Sequence, residues 1–332
     1  MPVIMRATTD MGNQITAMPT LPTPPVLFII FRRPENTARV FAAIRKARPR
    51  RLFIAADGPR PSHPDDAEKC RLAREAASRV DWPCEVRTRF LDANLGCGRA
   101  VSSAIRWFFE NVEEGIVLED DILPDPSFFP FCAALLDRYR DDPRVMNITG
   151  YNPLTHGVGD GSYYPSRFFH CWGWATWRRV AVQYDYAMAD FPAFRDGGGM
   201  ERAFPKRFQR DHFLEEFTRY HGHDCGNWDM QWFYLIVSRG GICLNPCVNL
   251  VKNIGFGPDS TFAANSASYH ARRKTGEITD FTPPSSLVPD PRAMDEILAK
   301  AYGVSRWRKT LTRLAAPFAG RILKIIWWLT GK

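Results

Sequence analysis

The sequence predicts an α/β protein with a mainly parallel central sheet flanked by helices, and three observations carry that expectation. Strand-like segments begin near residues 26, 52, 84, 116 and 145, a repeat of about 30 residues that matches successive strand-helix units. The first, Val26–Phe31, is continuously apolar, as a strand covered on both faces requires. Polar residues then gather where these segments end, at Arg33, Asp57, Asn94 and Glu119–Asp121. In sheets of this kind ligands bind beyond the carboxyl ends of the strands.

Taken in order, residues 1–25 read as a disordered arm closed by Pro22, Pro24 and Pro25. After the first strand come Arg32 and Arg33. Pro34 suits the first turn of a helix whose apolar face is Val40, Phe41, Ile44 and Ala47. Leu52–Ala56 repeats the strand pattern and ends in the turn Asp57-Gly58-Pro59. A charged helix over about 65–80 leads to Cys84–Phe90, whose alternating polar residues predict a half-exposed strand. Asn94-Leu95-Gly96-Cys97-Gly98 is a turn feeding a helix over 99–111. A fourth strand, from Gly115, runs into Glu119-Asp120-Asp121, and a helix over 127–139 precedes Val145–Thr149.

The acidic triplet is the most informative feature. Considered alone, it reads as a solvated turn, where charge runs usually sit. Adjacent carboxylates raise one another's pKa, so a cluster at a ligand-binding edge suits a shared hard cation.

The second half is less regular. Phe169–Trp177 packs three indoles around Gly173 and reads equally as a hydrophobic joint or as a stacking platform, with Trp172 a candidate ligand contact. Gly197-Gly198-Gly199 marks a loop. Asp229, beside Trp228, opens the apolar helix Trp232–Val237; it is either a helix cap or a desolvated carboxylate suited to accepting a proton. A strand over 241–245 follows, and then Asn253–Phe262, a glycine-spaced loop that folds over something.

Composition limits the partners. Apolar residues form 45% and charged residues 24% of the 332-residue chain, an ordinary globular balance. The net charge is +8, but Arg306, Arg308, Lys309, Arg313, Arg321, Lys324 and Lys332 follow Ser305 with no acid among them. The body is therefore nearly neutral, which argues against a nucleic-acid surface. Eight scattered cysteines without a C-x-x-C pair read as reduced thiols. No signal peptide or membrane-spanning run is apparent, so a cytoplasmic protein is expected. Beyond a linker and short helix over 283–305, residues 306–332 carry a stripe of Leu311, Leu314, Phe318, Ile322, Ile325 and Leu329 among those cations. This basic amphipathic tail is expected to attach peripherally to an anionic inner membrane face.

Together these residues resemble the GT-A glycosyltransferases. Leu118-Glu119-Asp120-Asp121 is similar to the acidic motif of the family containing the Golgi N-acetylglucosaminyltransferase I and its bacterial relatives. Four further pieces fit in order: Phe31-Arg32-Arg33-Pro34, Ala56-Asp57-Gly58, Asn94-Leu95-Gly96, and Asn227-Trp228-Asp229 with Gln231-Trp232, over roughly residues 26–265. The resemblance implies a GT-A fold, with a nucleotide-sugar-binding half over 26–150 and an acceptor half over 151–282. It also implies an inverting transfer of a hexosyl or N-acetylhexosaminyl group from a nucleoside-diphosphate donor, a UDP-sugar being favoured, to a hydroxyl of a surface polysaccharide or lipid-linked glycan. In that reading Asp121 coordinates Mn²⁺ or Mg²⁺, Glu119 and Asp120 contact the ribose and nucleotide, Asp57 sits near the base, and Asp229 is the general base. Asn94 and Trp172 join the substrate contacts, and Arg33 either holds a phosphate oxygen or forms an ordinary ion pair. Many members place a histidine ligand in the late loop, where this chain has Ser260-Thr261-Phe262. A metal-dependent phosphohydrolase and a non-catalytic nucleotide-fold scaffold are the alternative readings.

Overall fold

A computed structural model describes residues 21–256, 269–270 and 272–304. Residues 1–20 of the expected arm over 1–25, residues 257–262 of the expected loop over 253–262 and the basic tail lie outside the described residues.

The first half alternates as expected. Strands β1 (Val26–Ile30), β2 (Arg51–Ala56), β3 (Glu85–Phe90) and β4 (Glu114–Glu119) are separated by helices α1 (Pro34–Ala47), α2 (Asp66–Ala77) and α3 (Cys97–Asn111). Then come β5 (Ile122–Pro124), α4 (Phe128–Arg138), β6 (Val145–Thr149), β7 (Tyr163–Ser166) and β8 (Trp174–Trp177). Four helices follow, α5 (Arg178–Ala181), α6 (Phe191–Asp196), α7 (Gly199–Ala203) and α8 (Arg207–Tyr220). The described chain ends with α9 (Asp229–Ser238), β9 (Ile242–Pro246), β10 (Val251–Asn253) and α10 (Pro291–Ala301).

Eight strands form one sheet in the order β3-β2-β1-β4-β8-β6-β9-β7. The block from β3 to β4 is parallel throughout, and β6 and β9 are parallel to each other. Every residue of β1 is buried, because helices cover both faces of the sheet there. β3 is one edge, and its exposed Glu85 and Arg87 place charge where another strand would otherwise pair.

The fifth strand-helix unit departs from simple repetition. β6 does not lie beside β4; β8 is inserted antiparallel between them, Ala175 pairing with both Ile116 and Ile148. The tryptophan-dense run thus divides in two. Trp174 and Trp177 lie on a fully buried central strand, as a hydrophobic joint would, whereas Trp172, just before it, remains half-buried at the sheet edge. Because β8 lies between strands of the first half, residues 26–150 and 151–282 share one sheet and one core.

Helix ends follow local chemistry. Pro34 occupies the first turn of α1, and the helix stops at Arg48 in a left-handed conformation (φ 46°). α10, the short helix expected within 283–305, starts at Pro291 because the Asp290 carboxylate accepts from the N–H groups of Arg292 and Ala293, each at 2.8 Å.

Candidate active site

Parallel pairing of β1 with β4 sets Ile29 opposite Glu119, so the acidic triplet and the Phe31–Arg33 segment leave the sheet at the same edge. Asp120 is almost fully buried. Its Oδ2 accepts from the Phe31 N–H at 3.1 Å and its Oδ1 from Arg33 Nη1 at 3.1 Å. The same Nη1 donates to Asp121 Oδ2 at 2.8 Å, so one guanidinium nitrogen joins two carboxylates.

Behind Asp121 the chain is clamped. β5 pairs antiparallel with β10, and the Ile254 N–H donates to the Asp121 carbonyl at 2.7 Å. Gly255 then packs so closely that a Cβ there would lie 2.2 Å from Asp121 Oδ2. Only glycine lets the late segment pack against this flank of the acid.

On the β2 side, Asp57 is held at the strand tip. Its Oδ1 accepts from the N–H groups of Gly58 (2.8 Å) and Leu95 (2.9 Å), and its Oδ2 from Asn94 Nδ2 (2.9 Å) and the Gly96 N–H (3.1 Å). Four donors occupy the four acceptor positions of one carboxylate. Asn94 also gives Nδ2 to the Gly58 carbonyl at 2.9 Å, so its amide orientation is fixed by two acceptors. The turn leads into α3, whose Gly98 N–H donates to the Gly226 carbonyl at 3.1 Å. That contact draws the Gly226–Asp229 segment towards the acidic triplet.

Asp229 is the first residue of α9, with Trp228 at the N-cap making no side-chain capping bond. Asn227 Nδ2 donates to Asp229 Oδ1 at 2.9 Å and to the Tyr220 hydroxyl at 3.1 Å. The Tyr184 hydroxyl donates to the Trp228 carbonyl at 3.0 Å, tying the turn to the Trp174–Trp228–Trp232 cluster beneath it.

Arg33, Asp57, Asn94, Glu119, Asp120, Asp121, Trp172 and Asp229 all line one cleft of about 550 Å³. Trp172 is braced edge-on by Tyr151 (4.9 Å between ring centroids) and His270 (5.3 Å). His270 is a structural residue: its Nε2 faces the Ala301 carbonyl at 3.2 Å and its Nδ1 the Tyr151 hydroxyl at 2.7 Å. Since a carbonyl only accepts, Nε2 carries the proton and Nδ1 accepts from the tyrosine.

The cleft also contains residues to which the sequence assigned no role at a site, among them Arg60, Arg89 and Cys97. Arg60 forms a two-point pair with buried Asp66 (2.6 and 3.1 Å) and lies over the Phe31 ring. Arg89 donates to Ser103 Oγ at 3.1 Å. The alternation that marked the third strand as half exposed carried the one available signal for Arg89, since a polar strand end on this edge faces ligand as readily as bulk water.

No protein-family model matches the chain, and no curated protein matches it. Among solved structures, it is similar to a mannosyltransferase from Pyrobaculum calidifontis in complex with GDP-Man and Mn²⁺. That likeness has 14% identity and a TM-score of 0.37, over 65% of this chain and 69% of the other. A UDP-glucose pyrophosphorylase complexed with UDP-glucose gives 7% identity and a TM-score of 0.35, over 67% of this chain and 90% of the other. The inositol-1-phosphate CTP transferase from T. maritima gives 9% and 0.29, over 50% and 75%.

The electrostatics of the cleft follow from its own residues. Burial pushes Glu119 well above the usual carboxylate range, and Asp121, Asp120 and Asp229 add to the rise. Asp120 is pushed up to about 6 by burial and by Asp121, against the opposing charge of Arg33. Burial also raises Asp121, with Arg33 opposing it. Asp229 is raised by burial, partly offset by backbone N–H groups and Asn227. So much buried negative charge favours a cation. Among the described residues no group of three or more His, Cys, Asp or Glu side chains is placed to hold a metal. The donors present are carboxylate oxygens, with a guanidinium nitrogen standing between two of them. They fit Mg²⁺ or Mn²⁺, which take one or two protein carboxylates and complete their shell with water and phosphate oxygens.

Proposed function

We propose that the protein is an inverting, divalent-metal-dependent glycosyltransferase. It moves a hexosyl or N-acetylhexosaminyl group from a nucleoside-diphosphate donor, UDP-linked by preference, to a hydroxyl of a surface polysaccharide or lipid-linked glycan. One observation carries this reading: a single cleft holds the Arg33–Asp120–Asp121 cluster and, contributed by a different element, a buried carboxylate at Asp229. Breaking a glycosidic bond to a diphosphate needs charge compensation at the leaving group and proton removal at the attacking hydroxyl, and these two sets supply both.

In the reaction the acceptor oxygen attacks the anomeric carbon on the face opposite the diphosphate. The carbon–oxygen bond to the diphosphate breaks, and Asp229 receives the hydroxyl proton. Asp121 would hold the metal, which would supply compensation for charge growing on the leaving diphosphate, while Glu119 and Asp120 would contact the nucleotide. Arg33 contributes a further positive donor to the same oxygens. Trp172 offers a ring face to a sugar, and Asn227 keeps the Asp229 carboxylate oriented.

The test is thermal shift of the full chain with UDP, GDP and their sugar conjugates, with and without Mn²⁺, followed by product analysis with and without acceptor extract. A native-state ligand at about 100 times its Kd adds about 2.7 kcal/mol to stability. The expected result is metal-dependent stabilisation by one nucleotide and sugar transfer that requires acceptor. Nucleotide cleavage at the same rate without acceptor would favour a phosphohydrolase, and stabilisation without any turnover would favour a scaffold.

No helix among the described residues is long and apolar enough to cross a membrane. We place membrane contact in residues 306–332, on the strength of their seven cations and apolar stripe. A chain ending at Val304 is expected to stay folded and to lose binding to anionic vesicles in a sedimentation assay. Equal sedimentation of the full and shortened chains would defeat the idea.

A further inference from the structure

The Arg33–Asp121 contact sits where the proposed metal belongs. Nη1 of Arg33 lies 3.1 Å from Asp120 Oδ1 and 2.8 Å from Asp121 Oδ2, so a single donor atom bridges the two carboxylates as a small cation would. The Asp120 carboxylate and the Asp121 backbone are held independently of Arg33. The Phe31 N–H pins the other oxygen of Asp120, and the β5–β10 pair with Gly255 seals Asp121 from behind. Arg33 is not so constrained. It precedes α1, its hydrogen bonds to the cluster come from Nη1, and 18% of its side chain is exposed. Asp121 is exposed to the same degree. Both therefore face the cleft, and the remaining N–H groups of the guanidinium are available to phosphate oxygens.

We propose that Arg33 is the resident counter-ion of the Asp120–Asp121 pair, and that a divalent cation reaches Asp121 only when an anionic diphosphate draws the guanidinium away. The inference rests on the proposed nucleotide reading for the identity of the anion, but not for the competition between Arg33 and metal. An ion arriving alone must displace a tethered, partly buried guanidinium and lose part of its own hydration, with one or two carboxylates in return. An ion arriving with a diphosphate meets a cluster from which the anion has already taken Arg33, and it gains phosphate oxygens as ligands. Metal and anion then strengthen each other's binding by the same factor, since coupling between two sites is reciprocal.

The experiment reads free Mn²⁺ by electron paramagnetic resonance while the full chain is titrated, which needs no turnover. Wild type is expected to bind Mn²⁺ weakly alone and about tenfold or more tightly when UDP or GDP is present. Arg33→Met should bind Mn²⁺ alone about tenfold more tightly than wild type, and adding Asp121→Asn should abolish that gain. Arg33→Lys keeps a charge near the acids without the guanidinium fork and covers the case in which Arg33→Met fails to fold; it should fall between wild type and Arg33→Met. Should wild type bind Mn²⁺ alone as tightly as either variant, Arg33 is not the competitor and the inference fails. Absence of binding by both nucleotides would instead remove the nucleotide reading, while the titrations with Mn²⁺ alone still judge Arg33.

Discussion

Replacing Asp229 with Asn is expected to lower sugar transfer about 10²- to 10⁴-fold while nucleotide binding stays within a few-fold of wild type. The amide matches the carboxylate in shape, and its oxygen can keep accepting from Asn227 Nδ2, so the turn at the start of α9 should survive. What it loses is the capacity to take a proton. Burial raises the Asp229 pKa above its ordinary value of 3.8, so a base at this position is protonated at a pH where an exposed aspartate is already ionised. The acidic limb of the kcat–pH profile should accordingly lie above the ordinary aspartate range, with activity rising as pH climbs through it. The stability effect has the opposite sign. A raised folded-state pKa means that the native protein holds the proton more tightly, so this group favours folding at low pH, and that contribution fades as pH rises from the unfolded to the folded pKa. Asp229→Asn removes the penalty and should unfold at an equal or higher temperature than wild type at neutral pH. Transfer near the wild-type rate would assign the base elsewhere.

The separation between what the sequence disclosed and what it hid follows from range. Apolar runs at Val26 and Leu52 and the acid-tipped run from Gly115 announced a parallel block, because a strand buried on both faces needs no partner in view to be recognised. The ends of those strands, and so the position of the acidic triplet, came with them. The insertion of β8 between β4 and β6 could not be read. Four residues rich in indole carry no period, and their neighbours are chosen by Ala175 fitting between Ile116 and Ile148. The short β5–β10 pairing is equally silent, since three residues on each side offer no pattern. Side-chain roles divide in the same way. The sequence displays Asp121 and Asp229 as acids in suggestive company, but their convergence on one cleft depends on α3 meeting the Gly226 turn. It also displays Asp57 as an acid near a ligand, but three of its four partners are backbone N–H groups, which every residue except proline carries.

Those partners give Asp57 the largest expected effect on stability. Asp57→Ala removes the common acceptor of Gly58, Asn94, Leu95 and Gly96 at a site that is 8% exposed. An unsatisfied buried donor costs about 1–3 kcal/mol, and water entering from the cleft will serve some of the four, which leaves a loss of about 3–5 kcal/mol. That is a large part of a typical folding free energy of about 5–15 kcal/mol, and denaturant unfolding would read it directly. Asn is no gentler a replacement. Each carboxylate oxygen accepts two hydrogen bonds, so an amide nitrogen at either position would point donors at two donors. Asp57→Asn is therefore expected to fall close to Asp57→Ala, which is the reverse of what a residue contacting ligand through one oxygen would do. Nucleotide affinity should fall with both variants, because the Asn94–Gly96 turn sets the start of α3 and, through Gly98, the place of Asp229. A variant with wild-type stability and weakened nucleotide binding would show instead that this carboxylate acts by touching the ligand, and that the turn holds its shape without it.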